Sequence, residues 1–172
     1  DMRAFLSLVE ETWDRVDVVC ANAGTGGPAG LIETLDYGAW QDCVAVNLNG
    51  AFLTCRWAAR IMRAQGHGLI TLTSSTAGIA GYPFRSPYSA SKWAIIGLMK
   101  TLAMELGPAG VRVNALAPGA VQGPRMDRVV AMEAKAQGLP EDEIRALYVK
   151  GVSLRSWVDA EDVAGVFAVG LQ

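Results

Sequence analysis

TSSTAGIAGYPFRSPYSASKWAII (residues 73–96) carries three reactive side chains at fixed distances: Ser75, Tyr88 thirteen positions on, and Lys92 four further. The run GLITLTSS (68–75) leads into it and reads as a strand. SPYSASKWAIIGLMKTLAMELG (86–107) reads as a helix, with Ser86 as its N-cap and Pro87 at the first helical position, where a missing N–H costs nothing. On that helix Tyr88 and Lys92 are i and i+4 and share a face. A free tyrosine titrates near pH ~10, and a neighbouring ammonium favours its phenolate. Such a phenol is able to give or take a proton at a reacting oxygen. Ser75, at the strand end, is placed to donate a hydrogen bond to the same oxygen as charge develops there. The segment TAGIAGYPFRSP between them reads as a Gly- and Pro-bearing loop that would carry the chain from strand to helix around a substrate.

Working outward, the same alternation repeats. Met2, Phe5, Leu6, Leu8, Val9 and Trp13 approximate helical spacing, and VDVVCANAG (16–24) reads as a buried strand ending in a turn. GTGGPAG (24–30) is a loop. A long helix is expected from Asp36 to about Gln65, with Trp40, Val44, Leu48, Ala51, Phe52, Cys55, Ala59 and Met62 at threes and fours. Asp36 or Thr34 would cap its start and Gly66 its end. VRVNALAPG (111–119) is a third strand, stopped by Pro118-Gly119. Residues 122–158 form a more polar excursion with helices near 127–137 and 140–149, and Asp159 is a candidate cap for a last helix. Strand and helix in alternation are the pattern of a doubly wound parallel α/β sheet, in one domain. Ligands of such sheets bind beyond the carboxyl ends of the strands, and Gly24, Ser75 and Pro118-Gly119 all fall there.

Composition narrows the classes. The 172 residues are 51% hydrophobic and 19% charged, enough for a sizeable core. A net charge of −2 without a basic block argues against a nucleic-acid partner. No apolar run is long enough to cross a membrane, and DMRAFLSLVEETWDR does not read as a signal peptide. Cys20, Cys43 and Cys55 match no zinc spacing and read as buried free thiols in a reducing, cytoplasmic compartment. His67 is the sole histidine, in a turn-like GHG, so a histidine metal site or a Ser-His-Asp triad is not expected.

Each of these features has an ordinary structural counterpart: a Tyr/Lys pair is common on helices, SS caps turns, and ANAG is a turn. Asn47 is harder to dismiss, because Asn is a poor helix former and this one lies near the apolar face; its ordinary role would be a satisfied buried amide.

Together, ANAG (21–24), VNLNGAF (46–52), ITLTSSTAG (70–78), YSASK (88–92) and RVNALAPG (112–119) resemble the short-chain dehydrogenase/reductase family, in order and across almost the whole chain. The resemblance implies a Rossmann-like fold and hydride transfer between NAD or NADP and a small-molecule alcohol or carbonyl substrate. It implies Tyr88 as general acid/base, and Lys92 as the group that tunes it and holds the nicotinamide ribose. Ser75 would orient the substrate oxygen, and Asn47 would position a water in a relay from Lys92. Asn22, Ala23 and Gly24 would border the cofactor, Pro118, Gly119 and Val121 would flank the nicotinamide, and residues 122–158 would form the substrate lid. A homodimer or homotetramer through the two long helices is implied as well.

Two departures from the family stand out. The opening βαβ unit with its Gly-rich turn and the last strand are not seen, so the chain corresponds to the C-terminal two-thirds of the domain, roughly strands 4 to 6. Gly123 stands where many relatives have Thr, so a nicotinamide carboxamide contact would fall to backbone, Gln122 or Arg125. The alternatives are a catalytically silent dinucleotide-binding sensor or scaffold, disfavoured by the intact Asn47, Ser75, Tyr88 and Lys92 set, and an oligomerisation module packed through Ala51, Ala58, Ala90, Ala94 and Gly97.

Overall fold

A computed structural model describes residues 2–169. After a first helix, α1 (Met2–Thr12), three parallel strands, β1 (Val18–Ala21), β2 (Gly68–Thr73) and β3 (Val111–Leu116), lie in the order β1-β2-β3. Val19 stands opposite Ile70, and Ile70 opposite Val113. The alternation of the strands sets the faces. Val19, Ala21, Ile70, Leu72, Val111 and Val113 join one core with Ala51, Cys55, Ala58 and Met62 of α3 (Gly50–Gln65) and Ile95 and Leu106 of α4 (Ser86–Leu106). Val18, Cys20, Arg112 and Asn114 alternate with these residues and are exposed. The expected parallel α/β architecture is therefore present, and among the described residues β1 and β3 each pair along one edge only.

The expected single helix from Asp36 to Gln65 is broken into three parts. α2 (Tyr37–Val44) begins at Asp36, whose carboxylate accepts a hydrogen bond from the Ala39 N–H at 2.8 Å. A π turn over Ala45–Asn49 follows, in which the Gly50 N–H reaches Ala45 O, before α3 resumes. Apolar spacing does not reveal one extra residue in a turn, because the pattern on either side still fits a helix. Gly66 ends α3 in the left-handed conformation, as expected. Ser86 is not the N-cap of α4: it is the first helical residue, Arg85 precedes it, and the buried Ser86 hydroxyl has no partner among the described residues. Cys20 is exposed, contrary to expectation, because it lies on the sheet face away from the core; Cys43 and Cys55 are buried.

Beyond β3, α5 (Pro124–Gln137) and α6 (Glu141–Lys150) pack on each other through Val130, Ala134 and Ile144, with Met126, Leu139, Tyr148 and Trp157 around them. A parallel bridge between Val121 and Val158 closes the base of this excursion, and α7 (Ala160–Val169) follows. The Asp159 N–H bonds Asp162, half of a capping box. Among the described residues no helix is long and apolar enough to cross a membrane.

The Gln65 amide fastens the end of α3 to the chain entering β1: Oε1 accepts from the Val16 N–H at 3.0 Å and Nε2 donates to Val16 O at 2.9 Å. Gln65→Leu leaves both Val16 groups without these partners. A loss of about 1–3 kcal/mol in urea unfolding is expected, and an unchanged midpoint would show that water replaces the amide freely.

Candidate active site

The ends of all three strands converge. Beyond β1, the Asn22 carboxamide oxygen accepts from the Thr73 hydroxyl at the end of β2, at 2.8 Å. Beyond β3, Pro118 O accepts from the Thr76 N–H at 3.0 Å. Ser75 caps a short turn, Thr76–Gly78, its Oγ accepting from the Ala77 N–H at 3.2 Å. The Ser75 hydroxyl reaches Pro118 O only at 3.5 Å, a weak bond that leaves it able to turn to another acceptor.

Lys92 is 3% exposed, one turn along α4 from Tyr88. Its Nζ donates to Thr73 O at 2.7 Å and lies 5.7 Å from the centre of the Tyr88 ring. Burial pulls the Lys92 ammonium down from its ordinary range to about 8, and the charge of Arg125 acts in the same direction. Tyr88 is half-buried, and Arg85 lies over its ring at 5.2 Å.

Asn47 projects from the π turn and is 1% exposed. Its Oδ1 accepts from the Thr25 N–H at 2.7 Å, and its Nδ2 donates to Thr25 O at 3.1 Å and to Ser91 Oγ at 3.0 Å. The side chain is thus a satisfied buried amide that also clamps the turn after β1. A methyl group on Gly24 would stand 3.1 Å from Asn47 Oδ1 and 3.5 Å from Lys92 Nζ, so these groups border one small space that only glycine keeps open.

Of the residues expected at the site, Asn47, Ser75, Tyr88 and Lys92 come together at this edge. Asn22, Ala23 and Gly24 lie on its β1 side and Pro118 and Gly119 on its β3 side, with Val121 at the base of the α5–α6 excursion. Gly123 has φ +133 and is the N-cap of α5, a conformation in which Thr would be strained. The Gln122 amide donates to Asp159 at 3.2 Å. Sequence reasoning missed Ser91 and Thr25, which hold Asn47, and Arg85. Ser91 was discoverable, since it lies three residues after Tyr88 on the same helix. The partners of Arg85 are distant in sequence, and no local pattern announces them.

A family model described as short chain dehydrogenase matches residues 1–134. D-beta-hydroxybutyrate dehydrogenase of Rhizobium meliloti (strain 1021) is 32% identical over 162 residues, which are 94% of this chain and 62% of that protein. The crystal structure of an NAD+-bound xylitol dehydrogenase superposes with a TM-score of 0.94 at 28% identity, covering 100% of this chain and 69% of that one. An actinorhodin polyketide ketoreductase crystallised with NADPH gives 0.90 at 30% identity, over 98% of this chain and 65% of that one. The chain belongs to the short-chain dehydrogenase family. It spans about 62% of the length of the hydroxybutyrate dehydrogenase.

The lowered value for Lys92 has a measurable consequence. Its folded value, about 8, lies below the unfolded one, 10.5, so between them the unfolded chain holds more protons. Stability from this group therefore rises as pH climbs through that window. The unfolding free energy of the wild type, less that of Lys92→Met, is expected to increase from pH 7.5 to 10.5. A constant difference would mean that burial does not pull the Lys92 ammonium down.

Proposed function

We propose that the protein containing this chain is an oxidoreductase that moves a hydride between a nicotinamide cofactor, NAD or NADP, and a small-molecule alcohol or carbonyl substrate. The observation that carries this reading is the buried Lys92 ammonium set between the carbonyl at the end of β2 and the Tyr88 ring. A buried cation is costly unless partnered, and among the described residues Nζ has a single acceptor for its three hydrogens. Two donors beside a glycine with no side chain suit a pair of ribose hydroxyls. On this reading Asn22, Ala23 and Gly24 border the cofactor on one side, and Pro118, Gly119 and Val121 flank the nicotinamide on the other. When bound, the nicotinamide supplies or accepts the hydride.

The chain's own groups handle the proton. Tyr88 Oη gives a proton to the substrate oxygen during carbonyl reduction and takes it during alcohol oxidation. The neighbouring ammonium stabilises the phenolate that reduction leaves behind. Ser75 Oγ, weakly engaged by Pro118 O, turns to donate to the substrate oxygen. Asn47 holds the Gly24–Thr25 turn against Lys92 and positions a water that carries protons between Lys92 and solvent. Residues 122–158 act as the substrate lid, hinged at the Val121–Val158 bridge.

The free thiols favour a cytoplasmic setting. Exposed Phe52, Leu53 and Trp93 on α3 and α4 favour a homodimer or homotetramer through these helices. The small-residue packing first expected there is only partly available, because Ala51 and Ala58 are spent in the core.

In the full-length protein, Tyr88→Phe is expected to cut turnover of a reactive secondary alcohol by roughly two to four orders of magnitude, the range for losing general acid–base catalysis, with cofactor binding kept. Near-wild-type turnover would remove Tyr88 from the mechanism. Arg125→Ala is expected to weaken nicotinamide mononucleotide more than an adenosine fragment; equal losses would put Arg125 outside the carboxamide contact.

A further inference from the structure

Behind Tyr88 lies a polar cluster that the proposed chemistry does not use. Arg85 is 2% exposed and Glu133, on α5, is 5% exposed. Arg85 Nη1 donates to Glu133 Oε1 at 2.7 Å, and Nη2 donates to Gly26 O at 2.7 Å. The same carboxylate oxygen accepts from the Tyr148 hydroxyl of α6 at 2.8 Å and from the Tyr82 hydroxyl at 3.2 Å, and the two phenols also contact each other. The guanidinium lies over two rings, 5.8 Å from the centre of Tyr82 and 5.2 Å from that of Tyr88. The Glu133 carboxylate thus joins the loop before α4 to both helices of the 122–158 segment, and Arg85 ties in the turn after β1.

Two features set this cluster apart from ordinary packing. Among the described residues the buried Arg85 Nε has no partner, and a buried pair with an unmet donor is a poor way to gain stability; an apolar pair would commonly do as well. Phe84, immediately before, has φ +61, a strained conformation for a bulky residue, and its carbonyl is fixed by the Gly30 N–H at 2.9 Å. The backbone is bent out of its preferred region at the residue that delivers Arg85 to this place.

We propose that Arg85 is a positioning residue for Tyr88: through Glu133 it latches α5 and α6 onto the loop before α4, and its guanidinium holds the Tyr88 ring in register with Ser75 and Lys92. The latch stands on the geometry alone, whereas the positioning role rests on the oxidoreductase reading. Because Glu133 neutralises Arg85, the pair adds no net charge beside Tyr88.

The test uses the full-length protein with Glu133→Gln, Arg85→Lys, Arg85→Met and the double variant Arg85→Met/Glu133→Leu. Amide hydrogen exchange is read first, without turnover. Glu133→Gln is expected to speed exchange in 124–150 by about tenfold or more while β2 and β3 keep their protection. Unchanged exchange there overturns the latch. Steady-state rates are then read on secondary alcohols with NAD and with NADP. In Glu133→Gln, KM rises and kcat falls. In the double variant the apolar pair restores lid protection and KM, but kcat stays down by about tenfold, since no cation holds the ring. Full recovery of kcat in the double variant overturns the positioning role. If the double variant does not fold, Arg85→Lys decides: a kcat well above that of Arg85→Met supports the role, and equal values overturn it. Absence of turnover in the wild-type protein sinks the oxidoreductase reading, and the positioning role with it, while leaving the exchange result to judge the latch.

Discussion

A cation buried at the end of the middle strand is the constraint around which this molecule is arranged. Lys92 gives up nearly all contact with water, and an ammonium in that position must find dipoles or hydrogen-bond acceptors nearby. The Thr73 carbonyl provides one because β2 ends there, its last residue already paired with Leu116 of β3. The Tyr88 ring provides a second, weaker partner because α4 brings residues four apart onto one face. The sheet and the helix therefore meet at this contact, and displacing either would leave the charge stranded.

The space in front of that charge is kept by two other devices. The π turn carries Asn47 out of the regular helical ladder, so that its carboxamide grips both backbone groups of Thr25 while Ser91 takes one of its N–H donors. Gly24 then passes close to Nζ with no side chain to fill the gap. An ordinary α turn at residues 45–49 would rotate Asn47 away from the loop. Local irregularity of this kind is common where a side chain must be aimed rather than merely packed.

Much of this was legible in the sequence. The strands follow from short apolar runs ending at small residues, and the pairing of Tyr88 with Lys92 follows from helical periodicity once Pro87 marks the helix start. The convergence of Gly24, Ser75 and Pro118-Gly119 follows from the rule that parallel strands present their carboxyl ends together. What was not legible depends on three-dimensional partners or on single-residue shifts of register. The π turn hides inside an unbroken apolar pattern. Ser86 resembles a cap, yet the chain enters the helix one residue earlier. Cys20 was expected to be buried, and strand alternation puts it on the exposed face. The partnership of Arg85 and Glu133 spans the whole of α4 and β3, and each residue alone looks like an ordinary surface charge.

The proposed proton exchange at Tyr88 depends on the Lys92 ammonium beside its ring. The most direct test is kcat for alcohol oxidation in the full-length protein, at saturating cofactor and neutral pH, for wild type and Lys92→Met. With cofactor saturating, loss of the ammonium is predicted to lower kcat itself by about tenfold or more. An unchanged kcat would contradict this, leaving Lys92 with no part in the proton exchange.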